Sequence, residues 1–230
     1  MSKHLKRNFA PKTWKIKRKV KKFVTKPSPG CHKKTISVPL NVVLRDIMGY
    51  VTTNKEVEFI VREKNVFIDD VKRKTNKFPV GLFDVLSLKD INEHFRIVLD
   101  EKGRINVIKI KEEESGIKPY QITGKKIIKG ETQLNFFDGR NMIVKKDTFK
   151  IGDTLLIEFD EKNPKIKKHV KLEKNSLIYL TGGERIGQTG KIQDIMSNKI
   201  IYKNKDGNVV ETLKKFAFPI GKEKAIITLT

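Results

Sequence analysis

Residues 177–192 read Leu177-Ile178-Tyr179-Leu180-Thr181-Gly182-Gly183-Glu184-Arg185-Ile186-Gly187-Gln188-Thr189-Gly190-Lys191-Ile192, and the architecture follows from them. Apolar and polar residues alternate on both sides of a glycine-rich run, which is the pattern of half-buried strands joined by a tight connection. The alternation continues to Thr230, with a further break at Gly207, and predicts a small β barrel over residues 175–230. Gly190 reads as the residue that takes positive φ in a strand connection. The loop 182–189 would offer backbone amides and Arg185 to a partner, with Lys191 beside it. It is not a nucleotide-phosphate loop. The Walker pattern needs a glycine five positions before Gly190, where Arg185 stands, and Ser or Thr after Lys191, where Ile192 stands.

Working back along the chain, residues 111–174 form a central β segment. Strands are expected at 132–137, 141–144 and 154–159, with turns at Asp138-Gly139 and Gly152-Asp153. The acidic run 112–116 opens this segment and reads as a solvated linker, because nothing in its surroundings would bury or tune those carboxylates. Residues 39–110 mix helix and strand. Leu40, Val43, Leu44 and Ile47 have helical spacing, and Gly49 stops them. Thr53 and Glu56 form the two halves of a capping box ahead of the stripe Val57, Ile60, Val61, and Asn65 suits the far cap. Asp69-Asp70 reads as a hairpin turn between Val66-Phe67-Ile68 and Val71. A turn then strand is expected over 78–86, and two more strands at 94–99 and 105–110. The fold class is α+β, mainly β.

Residues 1–38 are different in kind. The first 34 carry thirteen Lys or Arg and no acid, and the first carboxylate of the chain is Asp46. Apolar residues are few, and Pro11, Pro27, Pro29 and Gly30 break any long helix. Such an arm is expected to be extended, to lack a core of its own and to gain order against a polyanion. With those thirteen set aside, 37 basic residues still face 27 acidic ones. The excess therefore continues into the body and favours nucleic acid over a localisation signal, a transit peptide or an acidic membrane. The expected RNA contacts in the arm are Lys3, His4, Lys6, Arg7, Lys12, Lys15, Lys17, Arg18, Lys19, Lys21, Lys22, Lys26, His32, Lys33 and Lys34, with Trp14 or Phe23 stacking or wedging.

Other classes are disfavoured. Cys31 is the single cysteine, so no disulfide framework or Cys-rich zinc site is available. His4, His32, His94 and His169 have no metal-ligand spacing, and no nucleophile–base pair stands out. No cofactor, metal or catalytic residue is expected. No apolar run approaches a membrane span.

Two helices followed by a hairpin, with Arg45, Lys55, Arg62, Lys64, Lys72, Arg73 and Lys74 on them, resemble the αL RNA-binding motif. The segment around Gly190 resembles a KOW motif. Together with His4-Leu5-Lys6-Arg7, Pro27-Ser28-Pro29-Gly30, Phe78-Pro79-Val80-Gly81, Lys102-Gly103-Arg104, Asp138-Gly139-Arg140-Asn141 and Phe218-Pro219-Ile220-Gly221, in this order, the chain resembles small-subunit ribosomal protein four of the archaeal and eukaryotic type. The resemblance implies a structural, non-catalytic constituent of the small ribosomal subunit in the cytoplasm. It would bind small-subunit rRNA and neighbouring small-subunit ribosomal proteins, with no membrane and no second copy of itself as partner. It implies an N-terminal arm (1–38), an αL module (39–110), a central β domain (111–174) and an SH3-like KOW barrel (175–230). Arg140, just after the Asp138-Gly139 turn, is expected either to anchor the central domain on RNA, with Asn141 beside it, or to form a salt bridge to Asp138 or Asp153. A transcription or RNA-processing factor carrying a KOW motif is the alternative. Two departures stand out: Asp69-Asp70 replaces the usual Asp-Gly, and Cys31 replaces a proline.

Overall fold

Period-two alternation makes most of this chain antiparallel sheet. A computed structural model describes residues 4–145, 148–159 and 164–229. The chain divides into two units, Met1–Leu99 with Arg104–Gly116, and Asp100–Gly103 with Ile117–Thr230.

In the first unit, β1 (Leu5–Lys6) pairs with β2 (Phe23–Val24), and β3 (Ser37–Pro39) pairs with β6 (Pro79–Gly81). Five strands form the sheet β5-β4-β7-β8-β9: β4 (Val66–Ile68), β5 (Val71–Lys72), β7 (Val85–Leu88), β8 (Glu93–Leu99) and β9 (Ile105–Ile110). The helix expected at 40–48 starts as α1 (Leu40–Val42) and widens into a π turn over Val43–Ile47, where Met48 N donates to Val43 O at 2.9 Å. Leu40, Val42, Val43 and Leu44 are buried, and Gly49 ends the run at φ 71°. The second helix, α2 (Asn54–Glu63), has the full capping box. Glu56 N donates to Thr53 Oγ1, and the Glu56 carboxylate accepts from Thr53 N. These bonds satisfy amides the helix leaves open, and the Thr52 amide, which donates to the same carboxylate at 2.9 Å, together with Thr53 holds the exposed Glu56 carboxyl below the usual carboxylate range. Val57 and Val61 are fully enclosed.

The Asp69-Asp70 turn takes positive φ at both residues, 51° and 60°. Aspartate tolerates this region better than other non-glycine residues. Here Asp69 Oδ1 also accepts from Val85 N at 3.1 Å, and Asp70 pairs with Lys89 at 3.1 Å.

The arm is not an open chain. Leu5, Ala10, Trp14 and Val24 are buried, and Ile105 N donates to Thr13 O at 2.7 Å. The acidic run also differs from a free linker. It forms a short helical turn, α3 (Glu112–Ser115), and Glu114 holds Arg96, whose side chain is fully enclosed. Arg96 Nη1 donates to Glu114 Oε2 at 2.8 Å and Nη2 to its carbonyl at 3.1 Å. Burial lowers the Arg96 pKa and Glu114 opposes that shift.

The second unit has two five-stranded antiparallel sheets. One is β12-β11-β10-β13-β14, built from β10 (Ile117–Ile128), β11 (Glu131–Phe136), β12 (Asn141–Val144), β13 (Thr154–Glu158) and β14 (Lys165–Val170). Tyr120, Ile122, Leu134, Phe136, Leu155 and Ile157 form its core. The other is β18-β17-β16-β15-β19, built from β15 (Leu177–Leu180), β16 (Thr189–Ile195), β17 (Lys199–Asn204), β18 (Val209–Leu213) and β19 (Ala217–Gly221). Its core contains Ile178, Leu180, Ile192, Ile200, Tyr202 and Ala217.

Gly190 lies inside β16 and is absent from the residues with positive φ, whereas Gly183 (90°) and Gly187 (84°) carry that conformation. The need for glycine at 190 is close approach. A Cβ there would stand 2.4 Å from Tyr202 Cδ2 and 2.7 Å from Lys203 O.

Candidate nucleic-acid interface

The arm's cations are gathered by the arm's own fold. Residues 7–18 wind around Arg18, whose Nη1 donates to the Ala10 carbonyl (2.9 Å) and whose Nη2 donates to the Pro11 carbonyl (2.9 Å). Arg7 is 4% exposed and donates to the Lys17 carbonyl at 2.6 Å and to Asp46 Oδ1 at 2.9 Å. The second oxygen of Asp46 accepts from Arg45 at 2.7 Å. The π turn that follows α1 supplies both Arg45 and Asp46, so one carboxylate joins the arm to the helix.

Around this anchor opens a groove of about 870 Å³. Lys12, Lys15, Lys17, Lys21, Arg45 and Arg104 line it together with Arg7, Trp14 and Arg18, and Asp46 is the one acid among its described lining residues. A concave surface dominated by one sign of charge concentrates its field and attracts polyanions.

Three sequence-named residues have structural partners that correct the surface role expected of them. Trp14 is 2% exposed and donates Nε1–H to Ser37 O at 2.8 Å, so it anchors the arm instead of offering a stacking face. His32 is enclosed, with Nε2 2.8 Å from Asp84 Oδ1, because Gly81 leaves room for its ring. Arg7 is committed to Asp46 and Lys17 as described.

The remaining residues are more dispersed. His4 is exposed and packs its ring 5.5 Å from Phe23. Lys6, Lys19, Lys22, Lys26, Lys33 and Lys34 are exposed outside the groove lining. Lys55, Arg62, Lys64 and Lys74 are exposed on α2 and after β5; Lys72 donates to Asn65 Oδ1 at 2.8 Å, and Arg73 stacks 4.1 Å over Phe78. Lys3 lies outside the described residues. In the second unit Arg140 donates to the Tyr120 hydroxyl at 3.2 Å and lies 3.5 Å from buried Asp138, which also faces enclosed Lys118 at 3.5 Å. Asn141 is exposed on β12. Burial pushes the Tyr202 hydroxyl pKa up and Arg185 pulls it back.

Lys191 lines a separate groove of about 940 Å³ with Lys168, Lys174, Lys222 and Lys224, against Glu173 and Glu223. Sequence reasoning missed these four lysines, and it missed Asp46 and Arg104 in the first groove. The first acid after a long cationic run was the available signal for Asp46. Among the described residues no group of three or more His, Cys, Asp or Glu is placed to hold a metal ion, and no helix is long and apolar enough to cross a membrane.

Fold and groove together define a class: a basic, mainly β protein with few helices and a cationic groove in its N-terminal unit. Residues 91–163 match Ribosomal family S4e, and residues 1–35 match the RS4NT domain. The chain is 40% identical to small ribosomal subunit protein eS4 of Methanococcus aeolicus over 99% of its own length and 97% of the relative's. It is 40% identical to the protein of the same name from Methanocaldococcus jannaschii, over 98% and 97%. The crystal structure of 30S ribosomal protein S4e from Thermoplasma acidophilum superimposes with a TM-score of 0.69 at 28% identity, covering 81% of this chain and 95% of that one. The chain belongs to Ribosomal family S4e.

Proposed function

We propose that this protein holds small-subunit rRNA by its phosphates, in the first place through the groove lined by Lys12, Lys15, Lys17, Lys21, Arg45 and Arg104. The chain is a structural constituent of the small ribosomal subunit, not an enzyme, in keeping with its family. The observation that carries the groove reading is its charge: many cations on one concave surface, with Asp46 as the one described acid. Phosphate contacts release counterions and position a protein without reading sequence, as a scaffold in folded RNA requires. The exposed lysines on α2 and after β5 extend the same surface chemistry, which supports reading 39–110 as an αL module. The five-stranded sheet with close-packed Gly190 supports an SH3-like KOW barrel over 175–230, and the sheet β12-β11-β10-β13-β14 supports a central domain that begins at Ile117, residues 111–116 packing with the first unit. Neighbouring small-subunit ribosomal proteins are the expected protein partners, in the cytoplasm. The eS4 relatives speak against a separate transcription or processing factor.

The test is the salt dependence of binding to a small-subunit rRNA fragment. Replacing Lys15, Lys17 and Lys21 by Ala is expected to reduce the slope of log K against log salt by about 0.7–0.9 for each phosphate that is no longer neutralised. An unchanged slope in the triple variant refutes the groove.

A further inference from the structure

A second cavity of the first unit, about 520 Å³, joins rings, a carboxylate and cations in a way the phosphate groove does not. Its size falls within the roughly 300–1,000 Å³ typical of small-molecule sites. Phe23, paired across the β1–β2 ladder with Lys6, is 48% exposed and lines the cavity beside His4. Glu58 lies in the same lining, fixed by two amides: its Oε1 accepts from Asn54 Nδ2 at 2.9 Å and from Asn76 Nδ2 at 3.0 Å. Asn54 Oδ1 accepts in turn from Asn41, which is fully buried and also donates to Thr25 Oγ1 at 3.0 Å. The carboxylate is thus tied to the core through a chain of side-chain amides. Both hydrogen bonds that the carboxylate accepts among the described residues go to Oε1, which leaves Oε2, with its two lone-pair sites, for a ligand. Lys26 and Lys77 line the same cavity.

We propose that this cavity takes one unpaired guanine of an RNA chain, a reading that rests on RNA binding by this protein. The ring stacks on Phe23, with the tilted His4 ring beside it, Glu58 Oε2 accepts from the Watson–Crick edge, and Lys26 and Lys77 meet the flanking phosphates. Unpaired RNA bases are bound in this way, by stacking on aromatic side chains and by hydrogen bonds to exposed base edges. The acceptor selects the base. Guanine presents N1–H and the 2-amino group side by side. Adenine and cytosine each present one amino group beside a ring-nitrogen acceptor, and uracil presents one N–H between two carbonyls. A fixed carboxylate therefore favours guanine and disfavours uracil.

The experiment measures binding of the full-length protein to the single-stranded RNAs UUGUU, UUAUU, UUCUU and UUUUU, to the inosine version of the first, and to free GMP. UUGUU is expected to bind tighter than UUUUU by roughly five- to a hundredfold, with the inosine version between them because it lacks the 2-amino group. Glu58→Gln turns a donor toward the ligand and should abolish the guanine preference, so that UUGUU binds no more tightly than UUUUU. Phe23→Ala should weaken all five RNAs together, on the order of tenfold, without altering their ranking. Equal affinity for all five overturns the proposal, as does a guanine preference that survives Glu58→Gln. GMP binding as tight as UUGUU overturns the assignment to RNA. Failure of every oligonucleotide to bind, with rRNA binding also lost, overturns the underlying RNA-binding reading as well. Failure here with rRNA binding intact overturns only the guanine site.

Discussion

Replacing Trp14 separates an anchor from a stacking platform. The indole is 2% exposed, its Nε1–H donates to Ser37 O, and its neighbour Thr13 accepts from Ile105 N. Trp14→Ala removes the largest apolar side chain of the arm and leaves a cavity, a change that costs about 3–5 kcal/mol in well-packed cores. Trp14→Phe keeps most of the ring but strands the Ser37 carbonyl, at about 1–3 kcal/mol. With a urea dependence of about 2 kcal/mol per molar for a unit of this size, the alanine variant should move the unfolding midpoint of the first unit down by about 1.5–2.5 M. The midpoint is read by far-UV circular dichroism, since the protein has one tryptophan. Limited trypsin digestion supplies the local readout. Lys15, Lys17, Lys19, Lys21 and Lys22 should become rapid cleavage sites in Trp14→Ala and intermediate ones in Trp14→Phe. An alanine variant with an unchanged midpoint and cleavage pattern, but weaker RNA binding, would refute the anchor and restore the stacking role.

Three further outcomes follow from individual contacts. Glu114→Ala leaves the enclosed Arg96 guanidinium without its carboxylate and should destabilise the first unit by roughly 3 kcal/mol, read as a lower urea midpoint, with Glu114→Gln between it and the parent. Gly190→Ala drives a methyl group against Tyr202 and the Lys203 carbonyl and should cost about 1–3 kcal/mol, whereas Gly116→Ala, with nothing within 4 Å, should leave the melting temperature unchanged. The Tyr50 hydroxyl, 2.5 Å from Glu93, is pushed up to about 12 by burial first and then by that hydrogen bond and charge. Between pH 10 and 12 the folded protein therefore keeps a proton the unfolded chain has lost. The stability this group contributes is present below pH 10 and falls as pH rises toward 12. Ultraviolet titration of phenolate should show one tyrosine ionising near 12 that Glu93→Gln brings lower; no such component would contradict the contact.

Much of this fold was legible because its signals are local. The Thr53–Glu56 capping box, the stop at Gly49 and the two-residue alternation from Leu177 onward all act within a few residues, and each forms the element its pattern predicts. The arm was harder because its order is borrowed. Its few apolar residues cannot build a core alone, but Trp14 needs only the Ser37 carbonyl and Thr13 only the Ile105 amide, and no window of sequence shows those long-range partners. Gly190 was the right residue for the wrong reason, since a strand glycine and a turn glycine look alike until Tyr202 is placed beside it. Net charge has the same blindness. It adds every cation alike, whereas the structure sorts them by chemistry. Both arginines of the arm turn inward: the planar forks of Arg7 and Arg18 each satisfy several carbonyl or carboxylate oxygens at once. The lysines between and beyond them, compact charges on flexible stems, remain exposed at positions 12, 15, 17, 19, 21 and 22. The arginines therefore shape the groove and the lysines charge it. A sequence in which the two residue types were exchanged would carry the same net charge and lose the fixed concave surface on which that charge acts.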